Sequence, residues 1–192
     1  MTDKDSNHTR VGRRNVLTAA ASGLAVVGLT GFVAGAREDE SGGQNNYAEI
    51  AFSDQTTDGT YVTVDRTYVE HDGFITIHTW DLITQQDGPG TIVGVSELLE
   101  AGKDGEGREY IDKRVELFDP DTGFSAEFEG QDRLEEDQPL VAVPHRDMEH
   151  TGEFDFTTDP HVDVPHTEGS KMRTDLPVDD AVNDEAYLTI TR

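Results

Sequence analysis

Residues 60–80 read TYVTVDRTYVEHDGFITIHTW. Thr60 to Val69 alternates cleanly, with Val62 and Val64 on one side and Thr63 and Asp65 on the other. That is the period-two pattern of a strand with one buried face. Asp72-Gly73 then interrupts, a turn dipeptide whose glycine tolerates positive φ. Phe74 to Trp80 follows as the most apolar strand, which its composition places at the centre of a sheet. Two such runs separated by a short turn commit this region to β-structure.

The pattern extends in both directions. Upstream, Ala48 to Phe52 reads as a first strand, with Ile50 and Phe52 on one face, and residues 54–59 read as a turn cluster. Downstream, Gly88-Pro89-Gly90 breaks the chain before a strand at 91–95, and Ser96 to Glu100 reads as a single helical turn. Runs at 110–118, 139–143 and 186–191 complete about seven strands. There is no helix of useful length, no internal repeat and no nucleotide-binding glycine signature. The expected closure is an all-β, two-sheet immunoglobulin-like sandwich. Residues 146–184, long and poor in apolar side chains, read as a structureless loop and hence as the place to look for function.

The chain opens differently. Arg13-Arg14 precedes an uncharged run from Val16 to Ala36 that ends in Ala34-Gly35-Ala36, a small-x-small site. The order of charged region, mild apolar region and cleavage site defines a twin-arginine signal peptide over 1–36, cut after Ala36. The alternative is an uncleaved anchor, since the run is long enough to span a bilayer. A polar linker, 37–46, follows, and the β-sandwich domain is expected over 47–192. Either outcome places the domain outside the cytoplasm, and membrane contact is expected only through a retained leader.

Among 192 residues, 15 are Lys or Arg and 40 are Asp or Glu, for a formal net charge of −25. The leader takes 4 of the basic and 2 of the acidic residues, leaving 11 and 38 to residues 37–192. Phosphate contacts need clustered Lys and Arg, so nucleic acid is excluded as a partner. Acids interspersed with apolar runs fit a folded halophilic surface, because concentrated salt screens the self-repulsion. The chain has no Cys, which removes disulfides, thiolate nucleophiles and cysteine-ligated metal centres.

Several of these segments resemble a domain of unknown function found in haloarchaeal exported and surface proteins. They are Asp54 to Thr60 with Val62-Thr63-Val64, Gly73-Phe74-Ile75 with Ile77-His78, and Ile92 to Ser96 with Leu98 to Gly102. Glu136-Asp137-Gln138 with Leu140-Val141-Ala142, Pro144-His145 with Asp147, and Phe154-Asp155-Phe156 continue the series in order. The resemblance implies a β-sandwich module of the secreted or surface proteome. It carries over no active site. Where relatives read Asp-x-Asn-x-Asn after the Pro-His pair, this chain has Met148-Glu149-His150-Thr151-Gly152.

Two constellations could carry chemistry. Asp147, Glu149, Thr151, Gly152 and Asp155 fall at positions 1, 3, 5, 6 and 9 of a calcium-type loop, although Thr158 stands where a bidentate Glu belongs. With His145 they form the expected metal residues His145, Asp147, Glu149 and Asp155, for Ca²⁺ or, through imidazole, Cu or Zn. Set against this is a solvated acidic loop, with His145 bonded to a neighbouring carboxylate such as Asp147. His150, His161 and His166 then read as surface loop histidines, and His78 as a strand residue that fills space. No catalytic residue is assigned. Ser96 lacks the flanking glycine and helix of a nucleophile elbow, and a hydrolase would need a deep pocket beside convergent polar groups. The sequence therefore points to a secreted or surface interaction module whose partner is a macromolecule or envelope component. A metal-binding domain is the alternative.

Overall fold

The computed structural model describes residues 47–103, 106–167 and 181–191. The expected leader (1–36) and linker (37–46) lie outside the described residues.

Among the described residues, eight strands form two sheets. The first contains β1 (Ala48–Ala51), β3 (Tyr61–Val69) and β6 (Arg108–Glu116) in the order β1-β3-β6. The second contains β2 (Gln55–Thr57), β4 (Gly73–Thr79), β5 (Ile92–Val95), β7 (Gln138–Arg146) and β8 (Asp184–Ile190), in the order β2-β8-β7-β4-β5. All pairings are antiparallel except β2 with β8, where Gln55 to Thr57 run alongside Leu188 to Ile190. A short α-helix, α1 (Asp81–Gln85), follows β4. The protein is a β-sandwich, as the alternation predicts.

The main core lies between the sheets. Val62, Val64, Val69 and Val115 from the first sheet meet Ile75, Ile77, Val93, Leu140, Ala142, Ala186 and Leu188 from the second. Alternate residues enter this core, with one change of phase within β3 between Val64 and Val69. Two smaller clusters occupy the outer face of the five-stranded sheet. One gathers Phe74, Ile92, Val95 and Phe156; the other gathers Leu82, Val141, Val143 and Ala181.

Four expectations need correction. The 54–59 turn contains β2, three residues too short to show a period. Ser96 to Glu100 is not a helical turn: Gly73 and Leu99 exchange backbone bonds of 3.0 and 2.7 Å, which holds the segment extended. β7, not β4, is the middle strand; β4 is apolar because both its faces are covered. The fourth concerns 146–184. Arg146 ends β7, residues 147–163 lie over the sheet, and 164–166 bond back to β7 through Arg146 N to Val164 O and His166 N to Pro144 O, each 2.9 Å. Residues 168–180 lie outside the described residues.

Two glycines fit where a side chain cannot. Gly59 has φ +88°, and a Cβ there would stand 2.3 Å from the Leu134 carbonyl oxygen. At Gly73 the same atom would lie 2.0 Å from the His145 carbonyl oxygen, where β4 and β7 start their pairing.

Candidate functional site

The expected metal residues His145, Asp147, Glu149 and Asp155 fall at the end of β7 and in the segment that follows it. His145 is the penultimate residue of β7 and points outward, opposite Phe74 of β4. It is 1 % exposed, with Phe154 and Phe156 packed edge-on against its ring at 5.6 and 4.7 Å. Its Nδ1–H donates to the Asp163 backbone carbonyl, which corrects the expected bond to Asp147. Burial pushes the imidazole down to about 3, against the pull of that carbonyl bond, and neighbouring His166 adds to the depression.

Asp147 is buried and serves the loop that it begins. Its carboxylate accepts from Gly152 N at 2.8 Å and Thr151 N at 3.3 Å, while its own N–H donates to Asp72 O at 2.9 Å. This is the side-chain-to-backbone closure that Asp favours in turns. Glu149 is exposed and Asp155 half-buried. The N–H of Asp155 donates to the carboxylate of Asp163.

Asp163 is the residue that sequence reasoning missed. It is 2 % exposed and adopts φ +49°. Burial raises its carboxyl to about 6, opposed by the Asp155 N–H, and the nearby carboxylates of Asp147, Asp155 and Glu149 raise it further. The available signal was the run Val162-Asp163-Val164-Pro165, a short alternation inside the supposed loop. The structure thus sets Asp147, Glu149 and Asp155 within electrostatic reach of Asp163. It places His145 beneath them, on the carbonyl side of Asp163. Among the described residues, no group of three or more His, Asp or Glu side chains is arranged to hold a metal ion.

The histidines divide into two classes. His150 and His161 are exposed, as expected. His166 is fully buried, contrary to the surface reading, because its backbone pairs with Pro144. His78 is also buried, and its ring lies 6.3 Å from that of His145. The Thr91 hydroxyl donates to Asp87 O at 2.8 Å, so its oxygen accepts from His78 Nδ1–H at 3.0 Å. Nε2 then accepts from Thr76 Oγ1 at 2.7 Å. This neutral ring ties β4 to the 87–91 turn, and burial holds its pKa well below the ordinary value. Ser96 is likewise engaged in the fold: its Oγ accepts from Ile75 N at 2.9 Å and donates to Glu97 O at 2.8 Å.

A separate groove is lined by residues 130–136 and Gln138, including Arg133 and Leu134. Arg133 stands 3.5 Å from Asp132 there. Among the described residues, no helix is long and apolar enough to cross a membrane.

Residues 48–116 match the family model described as Domain of unknown function (DUF7282). Over 128 residues, 67 % of this chain, the sequence is 34 % identical to Cell surface glycoprotein 2 of Haloarcula hispanica. It is 31 % identical to Cell surface glycoprotein 1 of the same organism over an equal length. In each case the match spans 11 % of the relative. No solved structure matches.

Proposed function

Because the chain carries a DUF7282 domain and is homologous to haloarchaeal cell surface glycoproteins, we propose that it is a non-catalytic surface module. It acts by holding or spacing another envelope macromolecule. The supporting observation is that one domain-sized stretch of the chain recurs within two much larger surface proteins. The β-topology agrees with such a role. Strands β1 and β2 behave as one strand divided between the sheets, its second half parallel to the last strand. We read this as the immunoglobulin-like arrangement, an architecture common to cell-surface modules.

Export belongs to the same reading. Arg13 and Arg14 direct twin-arginine translocation, cleavage follows Ala36, and residues 47–192 are released or displayed as the folded module. The glycan of the relatives does not transfer by the usual acceptor, since residues 37–192 contain no Asn-x-Ser/Thr triplet. The test is expression in a haloarchaeal host with a C-terminal tag. The wild type is expected in the envelope or medium with residue 37 at its N-terminus, and Arg13→Lys/Arg14→Lys in the cytoplasm. Equal export of both forms would reject the twin-arginine route. Cross-linking on intact cells that captured no envelope component would reject the interaction role.

A second reading has one specific observation behind it, the crowding of Asp163 by Asp147, Asp155 and Glu149. A cation there would relieve the repulsion and make residues 145–166 an ion-holding loop for Ca²⁺, with Cu or Zn as the imidazole alternative. At a hundredfold excess over its dissociation constant, such an ion adds about 2.7 kcal/mol to stability. A thermal midpoint raised by Ca²⁺ in concentrated KCl, with the gain lost in Asp147→Ala, is the expected result. An unchanged midpoint with every ion and with chelator would dismiss it.

A further inference from the structure

Residues 147–163 are attached to the sandwich in an unusual way. Every hydrogen bond described for residues 148–162 ends within 147–163. Thr151 N and Gly152 N bond to the Asp147 carboxylate, and Thr151 and Glu153 bond to each other. Thr158 and Asp159 bond to Asp155 O, His161 and Val162 to Asp159, and Asp155 N to Asp163. The segment satisfies its own polar groups, so lifting it away leaves no described partner on the sheet unpaired between 148 and 162.

Its grip on the sheet is apolar and local. Phe156 and Phe154 pack on Phe74, Ile92 and Val95, in a cluster separate from the main core and on the opposite face of the sheet. The ends are fastened firmly. Asp147 N bonds to Asp72 O, and Arg146 and His166 bond around Val164. Such an element opens at lower free energy than the strands beneath it, because the main core is untouched when it moves. The crowded carboxylates of Asp147, Glu149, Asp155 and Asp163 oppose its closed position, and salt weakens that opposition.

We propose that residues 148–162 form a strap that lifts as a unit from the outer face of the five-stranded sheet when salt falls, while the sandwich stays folded. Lifting uncovers Phe74, Ile92 and Val95, an apolar surface otherwise hidden. The trigger is ionic strength acting on the whole strap, so it is independent of a bound divalent ion.

The absence of Cys from the chain supplies the probe. Val95→Cys places a thiol beneath the strap, and Val64→Cys places one in the main core. In the full-length protein, thiol labelling is followed as KCl falls from about 3 M to about 0.5 M, a range that lengthens the Debye screening distance. Val95→Cys is expected to label roughly tenfold or more faster at the low end, with Val64→Cys lagging well behind it. Phe156→Ala should accelerate Val95→Cys labelling at both salts, and Asp163→Asn should reduce the salt effect. Equal labelling of the two thiols at every salt would overturn the proposal. So would an unchanged salt effect in Asp163→Asn. A chelator that reproduced the low-salt effect at constant KCl would assign the opening to a bound ion instead.

Discussion

Asp163 carries its cost in two forms, an αL backbone and a carboxylate buried among carboxylates. Asn tolerates φ near +50° as well as Asp does and can still accept from Asp155 N. Asp163→Asn is therefore expected to raise stability at pH 7 to 8 by up to about 3 kcal/mol, the value of two pK units. The gain fades in acid. A carboxyl raised from 3.8 to about 6 takes up its proton first in the folded state, so the wild type recovers this loss as pH falls through 6 towards 3.8. His145 works the other way: its pKa is depressed to about 3, so the unfolded chain takes up the proton below about pH 6.5 and stability falls. His78 acts in the same direction. The variant, lacking the compensating uptake, should lose stability more steeply between pH 6 and 4. Denaturant melts of both proteins across pH 8 to 4 measure this, and parallel curves would contradict the assignment. At this scale the sequence was only partly legible. Asp147 and Asp155 could be picked out by spacing, but Asp163 and the burial of His145 and His166 depend on a fold-back with no local signature.

Strand β6 shows how an exposed edge is managed. It runs over Arg108–Glu116, mostly exposed, and pairs with β3 on one side through eight of its nine residues. At its midpoint Asp112 adopts φ +50°, and the Asp65–Asp112 step is missing from an otherwise continuous register. The buried positions of β3 shift there, from Val62 and Val64 to Thr67 and Val69. Such a kink, beside Lys113 and Arg114, discourages a second chain from adding a strand. A β-branched side chain is poorly accommodated at positive φ. Asp112→Val is thus expected to destabilise by about 1–2 kcal/mol, and Asp112→Gly to be neutral or mildly stabilising. Chemical denaturation of the pair distinguishes a strained turn from one held by the Asp side chain, which would make both variants equally weak. Among the elements, β3 and β4 could be read directly because burial on a sheet face imposes period two. β2 could not, since its partner β8 lies more than a hundred residues away. The change of face within β3 left a single trace, Arg66 falling on the phase of Val62 and Val64.

Among the described residues, most apolar side chains are turned inward between the sheets and most acids outward, and few ion pairs offset the acidic charge. The described pairs, among them Arg66 with Glu49 and Glu109 and Arg114 with Glu116, lie at the surface, where each adds little. Folding gathers like charges, so stability should rise with salt until screening is complete. The segment 127–137 supplies a direct test, because Glu127, Glu129, Glu135 and Glu136 are all exposed and none is described as bonding through its side chain. Neighbouring Asp137 is left in place, since it accepts from Ile190 N at 2.8 Å and anchors β8. Replacing the four Glu by Gln keeps size and polarity and removes four negative charges. The thermal midpoint should rise in about 0.5 M KCl and converge with the wild type near 3 M, where the Debye length is only a few ångströms. A gain of equal size at both salts would mean that the acids destabilise by local packing rather than by collective repulsion. A loss at high salt would mean that the acidic surface stabilises the fold by binding hydrated ions, and charge reduction would then act against the module in its own environment.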